Sequence, residues 1–330
     1  MLNLETQSVS ANHSRMVLGG AQLGLHYGIT NRTGFLTDRD AVDIIRAAVF
    51  AGIRTIDTAR AYGESERRIG LALSDGGQQA IELITKLDPL QTVAMTAPPE
   101  QAVDAASKSV SVSRSNLGRD HLDCLILHRP DHRTSWDGAV WQMLLAERDA
   151  GRIKRLGVSV NYPEDALAAI ADPDVSHIQI PFNLLDYRWE EAGVLRALQQ
   201  RPHITVHIRS VFLQGLLANK EIPKQFRSEN FDLSDLNSRV RQLASHLDRV
   251  NEADLCIAFA RAQTWASGIV VGVESIGQLN ELVGFFDRPA LTLQEVATVT
   301  GMMPRYPEDL LVPAQWALRG PPADPLELKS

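Results

Sequence analysis

Short apolar runs rich in Val, Ile and Leu recur along the chain, separated by longer stretches of mixed polarity. Each run is too short for a helix and is followed by a polar or glycine-bearing loop, which is typical of strands buried in a parallel sheet. The runs are MVLGG (16–20), IRTID (53–57), LITK (83–86), DCLILH (123–128), RLGVS (155–159), HIQI (177–180), TVHI (205–208) and GIVVG (268–272). The pattern therefore predicts eight buried strands.

Stretches with helical spacing of apolar residues lie between these runs. In residues 38–52 the side chains of Val42, Ile45 and Val49 share one face, and Gly52 follows as a C-cap. Similar stretches cover 102–118, 136–151, 163–172, 190–200, 252–268 and 275–286. The repeated alternation of strand and helix predicts an α/β fold, a closed (β/α)8 TIM barrel, and the absence of a linker-like composition break predicts a single domain.

An open doubly wound sheet uses the same units, but it usually carries GxGxxG after its first strand, and GGAQLGLHYG (19–28) lacks that spacing. The barrel is therefore favoured, over residues 16–302. Residues 1–15 are expected to form a flexible N-terminal tail, and 303–330 a C-terminal segment at the rim. The long polar excursion at 209–251 is expected to shape the substrate mouth.

Composition excludes several classes of partner. Lys and Arg number 33 against 40 Asp and Glu, a net charge of −7, which disfavours nucleic acid and anionic membranes. No apolar run approaches the ~18 residues that span a bilayer, and the first residues lack the apolar core of a signal peptide. Cys124 and Cys256 are far apart and form no CxxC, so neither a disulfide framework nor a thiolate metal site is expected. We expect a cytoplasmic protein without a metal.

Polar residues that carry chemistry stand where three consecutive predicted strands end. The second strand ends in Asp57, the third in Lys86 and the fourth in His128, and Tyr62 lies in the loop after the second. The loops that follow barrel strands converge on one mouth. Each residue alone has a structural explanation: a turn cap, a surface lysine, a core histidine or a packing aromatic. Gathering an unpaired Lys and Asp in a low-dielectric environment has a desolvation cost that a purely structural role rarely offsets. The four residues together therefore favour a candidate active site.

This set of groups suits the reduction of a carbonyl by hydride. The carbonyl oxygen gains negative charge and needs a proton from a nearby acid, for which Tyr62 is the candidate. A free phenol has a pKa near 10, so its anion lies roughly 4 kcal/mol uphill at neutral pH, and a neighbouring ammonium narrows that gap. Lys86 would be this ammonium and Asp57 would hold it. His128 would orient the carbonyl, a role worth about 3 kcal/mol in the transition state.

The residues around these positions resemble the aldo-keto reductase superfamily over nearly the whole barrel. The matching segments are 54–73, 83–87, 122–131, 151–166, 178–186, 213–218 and 270–282. The resemblance implies an NAD(P)H-dependent oxidoreductase of small-molecule carbonyls and alcohols, with Asp57, Tyr62, Lys86 and His128 as its catalytic tetrad and Tyr27 at the substrate. Two alternatives stay open: a regulatory barrel that senses the cofactor with little turnover, and a metal-dependent barrel hydrolase that would be sensitive to chelators.

The resemblance also implies the nicotinamide contacts. Ser159 and Gln179 stand where relatives hold the carboxamide, and Asn161 is a further candidate because Val160 interrupts the family's Ser-Asn pair. Arg209 stands where relatives often stack a Tyr or Trp on the nicotinamide. A direct cofactor contact and a salt bridge beneath the loop are both open for Arg209.

The segment GVESIGQLNEL (272–282) resembles the family's adenosine-phosphate loop, in which basic residues often select NADP. The candidate contacts here are Gly272, Glu274, Ser275 and Gln278. A carboxylate about 4 Å from a 2′-phosphate would cost on the order of 4 kcal/mol per unit charge. NADP(H) is expected because the family uses it more often, with NAD(H) as a close alternative. The pattern predicts neither the substrate's identity nor the oligomeric state.

Overall fold

Eight parallel strands close into a barrel in sequence order in the computed structural model, which describes residues 11–28, 34–74, 81–218, 233, 235–313 and 316. The strands are β1 Met16–Gly19, β2 Thr55–Asp57, β3 Glu82–Lys86, β4 Leu122–Leu127, β5 Ile153–Ser159, β6 His177–Pro181, β7 Thr205–Arg209 and β8 Gly268–Gly272. Each coincides with one of the predicted runs. The predicted single-domain (β/α)8 barrel is confirmed.

Helices surround the barrel and follow its strands. They are α1 Ala21–Gly24, α2 Asp38–Phe50, α3 Ser65–Ala72, α4 Pro99–Leu117, α5 Ala139–Asp149, α6 Pro163–Ala171, α7 Arg188–Glu191, α8 Val194–Gln199, α9 Leu236–His246, α10 Glu252–Arg261, α11 Ile276–Asp287, α12 Leu293–Met302 and α13 Glu308–Leu311. Short 3₁₀ turns cover Ala11–Arg15, Pro130–Arg133, Trp136–Gly138 and Leu213–Gly215. No described helix is both long and apolar enough to cross a membrane.

Two elements differ from the predicted helices. The stretch 190–200 is interrupted at Gly193, whose φ of +79° is left-handed and ends α7 before α8 begins. Helix α9 lies inside the expected polar excursion at 209–251, of which residues 219–232 and 234 are outside the described part. Its buried face, which includes Val240 and Leu243, packs into the core.

Helix α3 has a polar buried face, which is why apolar periodicity did not predict it. Glu66 is fully buried and accepts from Thr85 Oγ1 at 2.7 Å and from Arg60 at 3.2 Å. Arg68 is also buried and donates to the carbonyl of Leu23 at 2.6 Å. These bonds compensate the desolvation of both charges and fix α3 against β3 and α1.

The ends of the described chain are anchored to the barrel. Within the expected tail 1–15, residues 11–15 form a 3₁₀ turn, and the Arg15 guanidinium donates to the carbonyls of Arg261, Gln263 and Ala266 at 2.7–2.8 Å. Within 303–330, the residues Leu310, Leu311 and Val312 are buried. Residues 1–10, 314–315 and 317–330 lie outside the described part.

Candidate active site

The four candidate catalytic residues lie on the carboxyl rim of β2, β3 and β4, which are neighbours in the barrel. Asp57 and Lys86 are the last residues of β2 and β3, and His128 directly follows β4. Tyr62 lies in the turn between β2 and α3. There its amide donates to Ala59 O, and its carbonyl accepts from the Ser65 amide, each at 3.0 Å. The topology therefore brings together the residues that the sequence pattern singled out.

Asp57 and Lys86 form a buried ion pair. Lys86 Nζ donates to Asp57 Oδ1 at 2.6 Å and to the carbonyl of Thr58 at 2.9 Å. The side chain of Lys86 is only 1% exposed and that of Asp57 only 4%. The other carboxylate oxygen, Asp57 Oδ2, accepts from Gln179 Nε2 at 2.7 Å. Both oxygens of Asp57 are thus occupied, which fixes the carboxylate and the ammonium in one position.

The ammonium of Lys86 remains charged in this environment. Burial lowers the pKa of Lys86, but the negative charge of Asp57, and that of Tyr62 when ionised, more than offset burial and raise this pKa above its usual value. Lys86 Nζ lies 5.0 Å from the centre of the Tyr62 ring. A permanent positive charge therefore faces the phenol.

His128 also packs against Tyr62. The two ring centres are 5.8 Å apart and the planes are nearly perpendicular, at 88°. Burial, followed by the positive charges of Lys86 and Arg209, lowers the pKa of His128 to about 3. The imidazole is therefore neutral near pH 7, with one N–H to donate and one nitrogen to accept. Its Nδ1 is buried and has no hydrogen-bond partner among the described residues.

A cavity of about 380 Å³ opens beside Asp57 and Tyr62. Its lining continues past the ends of β1 and β8 to the first turns of α10 and α11. Tyr27, the residue expected at the substrate, and Arg209 also line it. The cavity therefore connects the tyrosine end of the barrel rim to the segment 272–282.

The residues expected to hold a carboxamide lie side by side. Ser159 on β5 is in register with Gln179 on β6, and both are buried. Gln179 donates its amide to Asp57, while its Oε1 is buried without a hydrogen-bond partner among the described residues. The amide orientation follows from Asp57, because the opposite assignment would set two oxygens against each other. An unsatisfied acceptor of this kind suits an incoming amide N–H.

Arg209 hydrogen-bonds to the residues that follow β5. Its Nη2 donates to Asn161 Oδ1 at 2.8 Å and to the carbonyl of Val160 at 3.1 Å. No ion pair of Arg209 is present within the described ranges. The alternative of a salt bridge beneath the loop stays a prediction, because residues 219–232 of that loop lie outside the described part. The side-chain oxygen of Asn161 is already used by Arg209.

The expected adenosine loop hydrogen-bonds largely to itself. Ser275 is the N-cap of α11, and its side chain accepts from the amide of Gln278 at 3.2 Å. Gln278 Oε1 in turn accepts from the amide of Glu274 at 2.7 Å. Gly272, Glu274 and Gln278 line the cavity. A Cβ at Gly272 would lie 2.0 Å from Gln22 Oε1, so glycine lets the Gln22 side chain cross this strand end.

Three polar residues of the far wall were not predicted from the sequence. They are Asn251, Glu252 and Glu281, which line the cavity beside Glu274. Asn251 is the N-cap of α10, and its Nδ2 donates to Glu281 Oε1 on α11 at 3.2 Å. Since they approach only through the packing of α10 against α11, no sequence spacing identifies them as one group.

The protein is a (β/α)8 barrel that carries an acid, an amine, a phenol and an imidazole on its carboxyl rim. Enzymes of this fold have their active sites at that end of the strands. Residues 15–303 match the sequence profile described as the Aldo/keto reductase family, and the chain belongs to that family.

Curated relatives bear the same family name, and a solved structure shares the fold. The chain is 30% identical to an aldo-keto reductase of Mycobacterium avium over 152 residues, 44% of this chain and 49% of that protein. It is 28% identical to the aldo-keto reductase YhdN of Bacillus subtilis over 67% of each chain. The match thus spans about half of the mycobacterial relative. The holo form of aldo-keto reductase AKR11C1 from Bacillus halodurans superposes with a TM-score of 0.72 at 21% identity, covering 88% of this chain and 93% of that one.

Proposed function

We propose that the protein is an NAD(P)H-dependent oxidoreductase that interconverts a small carbonyl compound and its alcohol, with Tyr62 as the general acid and base. The observation that carries the proposal is that the Tyr62 ring lies within 5.0 Å of a charged ammonium and 5.8 Å of a neutral imidazole, beside an open cavity. Membership of the aldo/keto reductase family supports the same chemistry.

The described residues fit a nicotinamide cofactor. The lining of the cavity includes residues of both the tyrosine end and the start of α11. Gln179 hydrogen-bonds to Asp57 of this lining, and its Oε1 is a buried acceptor without a partner in the described part of the chain. Ser159 and Gln179 would hold the carboxamide. When bound, the nicotinamide supplies the hydride. The other contributions to the reaction come from the side chains of the protein.

In the direction of reduction, the phenol of Tyr62 donates its proton to the carbonyl oxygen as that oxygen becomes negative. The ammonium of Lys86 stabilises the phenolate that remains, and Asp57 keeps the ammonium in place. The neutral imidazole of His128 donates its N–H to the same oxygen and orients the substrate. In the direction of oxidation, the phenolate of Tyr62 accepts the hydroxyl proton.

The raised pKa of Lys86 keeps it charged, as stabilising the phenolate requires, and the lowered pKa of His128 keeps it neutral, as a hydrogen-bond donor. A charged imidazole would compete with Tyr62 as the proton donor, whereas a neutral one serves as a hydrogen-bond donor only. The choice between NAD(H) and NADP(H) depends on the end of the cavity opposite Tyr62, which is lined by carboxylates.

The test is binding and turnover measured on the same preparation. We expect NADH or NADPH to bind and to be oxidised in the presence of at least one member of a panel of aldehydes, ketones and aldoses. Treatment with EDTA is expected to leave the rate unchanged, whereas a metal-dependent hydrolase would lose its activity. A cofactor that binds tightly and never turns over with any member of the panel would favour the sensor instead.

A further inference from the structure

We infer that Asn161 and Arg188 are positioning residues of the active site, which act together by holding the guanidinium of Arg209 in the wall of the cavity. Arg209 belongs to the described lining of the cavity, as does Tyr62, whereas Asn161 and Arg188 do not. The inference rests on the proposed function, because these two residues affect the reaction through Arg209 and without touching the substrate.

Three oxygen atoms hold the guanidinium of Arg209. Its Nη2 donates to Asn161 Oδ1 at 2.8 Å and to the carbonyl of Val160 at 3.1 Å, and its Nη1 donates to Ser210 Oγ at 3.3 Å. Two of these acceptors belong to the loop after β5, and β6 lies between that strand and β7. An arginine has only donors, so the Asn161 atom that faces it is an oxygen. All three acceptors are uncharged, so these bonds fix the guanidinium without cancelling its charge.

The main chain at Asn161 is itself anchored by Arg188, the first residue of α7. Arg188 Nε and Nη2 donate to the two carboxylate oxygens of Asp186, at 2.8 and 2.7 Å, and both side chains are buried. The remaining nitrogen, Nη1, donates to the carbonyl of Asn161 at 3.3 Å and to Glu308 Oε1 at 3.2 Å. Because the bidentate pair fixes the plane of its guanidinium, Arg188 holds residue 161 where its side chain reaches Arg209.

Arg209 places a positive charge at the tyrosine end of the cavity in addition to that of Lys86. Burial lowers the pKa of His128 most, and the charges of Lys86 and then of Arg209 lower it further. In the proposed reduction, negative charge develops on the carbonyl oxygen and then on the phenolate of Tyr62. A cation that the fold holds in place stabilises this charge without reorganising during the reaction. A guanidinium released from Asn161 loses part of that effect.

Asn161→Ala tests this role, since it removes the acceptor of the shortest of the three bonds and leaves Arg209 the other two. We expect kcat to fall roughly 10-fold, less than the 10²- to 10³-fold typical of a donor bonded to the reacting oxygen. The dissociation constant of the cofactor should stay close to that of the wild type. Asn116→Ala is the matched control and should keep the wild-type kcat. Asn116 also bonds a charged side chain, that of Glu66, but it lies near the end of α4, outside the described lining of the cavity.

A double-mutant cycle separates positioning from a general structural effect. If Asn161 acts through Arg209, Asn161→Ala lowers kcat in the wild-type background and has no further effect in the Arg209→Met background. Arg188→Lys, which keeps a positive charge beside Asp186, is expected to show the same dependence with a smaller fall in kcat. Equal losses in both backgrounds would overturn the inference. A weaker affinity for the cofactor in both backgrounds would also overturn it, because Asn161 would then bind the cofactor directly.

The anchoring of Arg209 is also measurable without turnover, by NMR of the full chain with isotope-labelled arginine. The guanidinium signals that are missing in Arg209→Met belong to Arg209. We expect separate, slowly exchanging Nη signals in the wild type and in Asn116→Ala, and averaged signals in Asn161→Ala. Averaged signals in the wild type would overturn the inference and leave the proposed function intact. Separate signals in a wild type that reduces no carbonyl compound would support the anchoring of Arg209 and contradict the proposed function instead.

Discussion

Gly24 packs directly against the backbone of Tyr62. A Cβ at position 24 would lie 1.9 Å from the carbonyl oxygen of Tyr62 and 2.5 Å from the amide nitrogen of Ser65. The two main chains can approach this closely only because residue 24 has no side chain. The short helix after β1 therefore sets the position of the turn that presents the phenol.

This contact predicts that Gly24→Ala impairs turnover by displacing the Tyr62 turn. A displacement of about 1 Å in a reacting group can cost roughly 100-fold in rate. We expect kcat to fall by about that factor, measured by steady-state oxidation of the reduced cofactor. Gly284→Ala is the control: nothing lies within 4 Å of its added Cβ inside α11. It should keep the wild-type kcat and gain about 0.4–1 kcal/mol of stability.

Tyr62→Phe removes the hydroxyl and keeps the ring that packs against Lys86 and His128. Loss of a general acid typically costs 10²- to 10⁴-fold, so we expect kcat to fall by about that range while the dissociation constant of the cofactor changes little. Tyr187→Phe, which removes a hydroxyl that donates to Tyr306 O at 3.2 Å, is the control and should remain active. Wild-type turnover in Tyr62→Phe would contradict the role of Tyr62 as the general acid.

Lys86→Met should destabilise the protein strongly, because Asp57 would remain buried with a hydrogen bond from Gln179 and no cation. Breaking a buried pair in this way typically costs about 3–5 kcal/mol. The measurement is the free energy of unfolding in urea. The double variant Asp57→Asn with Lys86→Met is expected to recover much of the loss, because the uncompensated charge is gone.

Lys154→Met provides the comparison for this experiment. Lys154 pairs with Asp123 at 2.8 Å, but its side chain is 56% exposed. Exposed pairs contribute about 0–1 kcal/mol. A loss for Lys86→Met no larger than that for Lys154→Met would show that the buried pair does not behave as described.

The histidines inside the barrel predict a loss of stability in mild acid. His207 packs against His177 with ring centres 4.5 Å apart, and burial, with the charges of Arg155 and Lys86, lowers the pKa of His207 to about 3. Between about pH 3 and about pH 6.5, His207 is protonated in the unfolded chain but neutral in the folded chain. The contribution of this group is therefore complete above about pH 6.5 and is lost as the pH falls.

Urea unfolding at several pH values measures this effect. We expect the free energy of unfolding to fall from about pH 6.5 towards about pH 4, and to fall less steeply in His207→Leu than in the wild type. His246→Gln, at an exposed position near the end of α9, is the control and should retain the wild-type slope. Identical slopes in His207→Leu and the wild type would contradict the assignment to His207.

The sequence pattern predicted the barrel well because its strands are buried on both sides. An apolar run such as GIVVG in β8 is too short for a helix and is typical of a strand in a covered parallel sheet. The rim residues Asp57 and Lys86 followed directly, since strand ends of parallel sheets converge. Helix α3 did not follow, because Glu66 and Arg68 occupy positions that apolar periodicity reserves for hydrophobic side chains.

The contacts that cross between elements were beyond the pattern. Arg209 on β7 reaches past β6 to Asn161, and nothing in either segment indicates this partner. Glu281 meets Asn251 only because α10 packs beside α11. Side-chain direction and helix packing decide such contacts, and a linear spacing contains neither.

The pairing of β1 with β8 has a consequence for how the protein matures. Gly19 and Gly272 are partners across this seam, and both line the cavity. During synthesis β1 cannot pair with β8 until residue 272 has emerged from the ribosome, so the barrel stays open until then. The cavity beside Tyr62 is therefore absent from every shorter nascent chain and forms only when β1 and β8 pair.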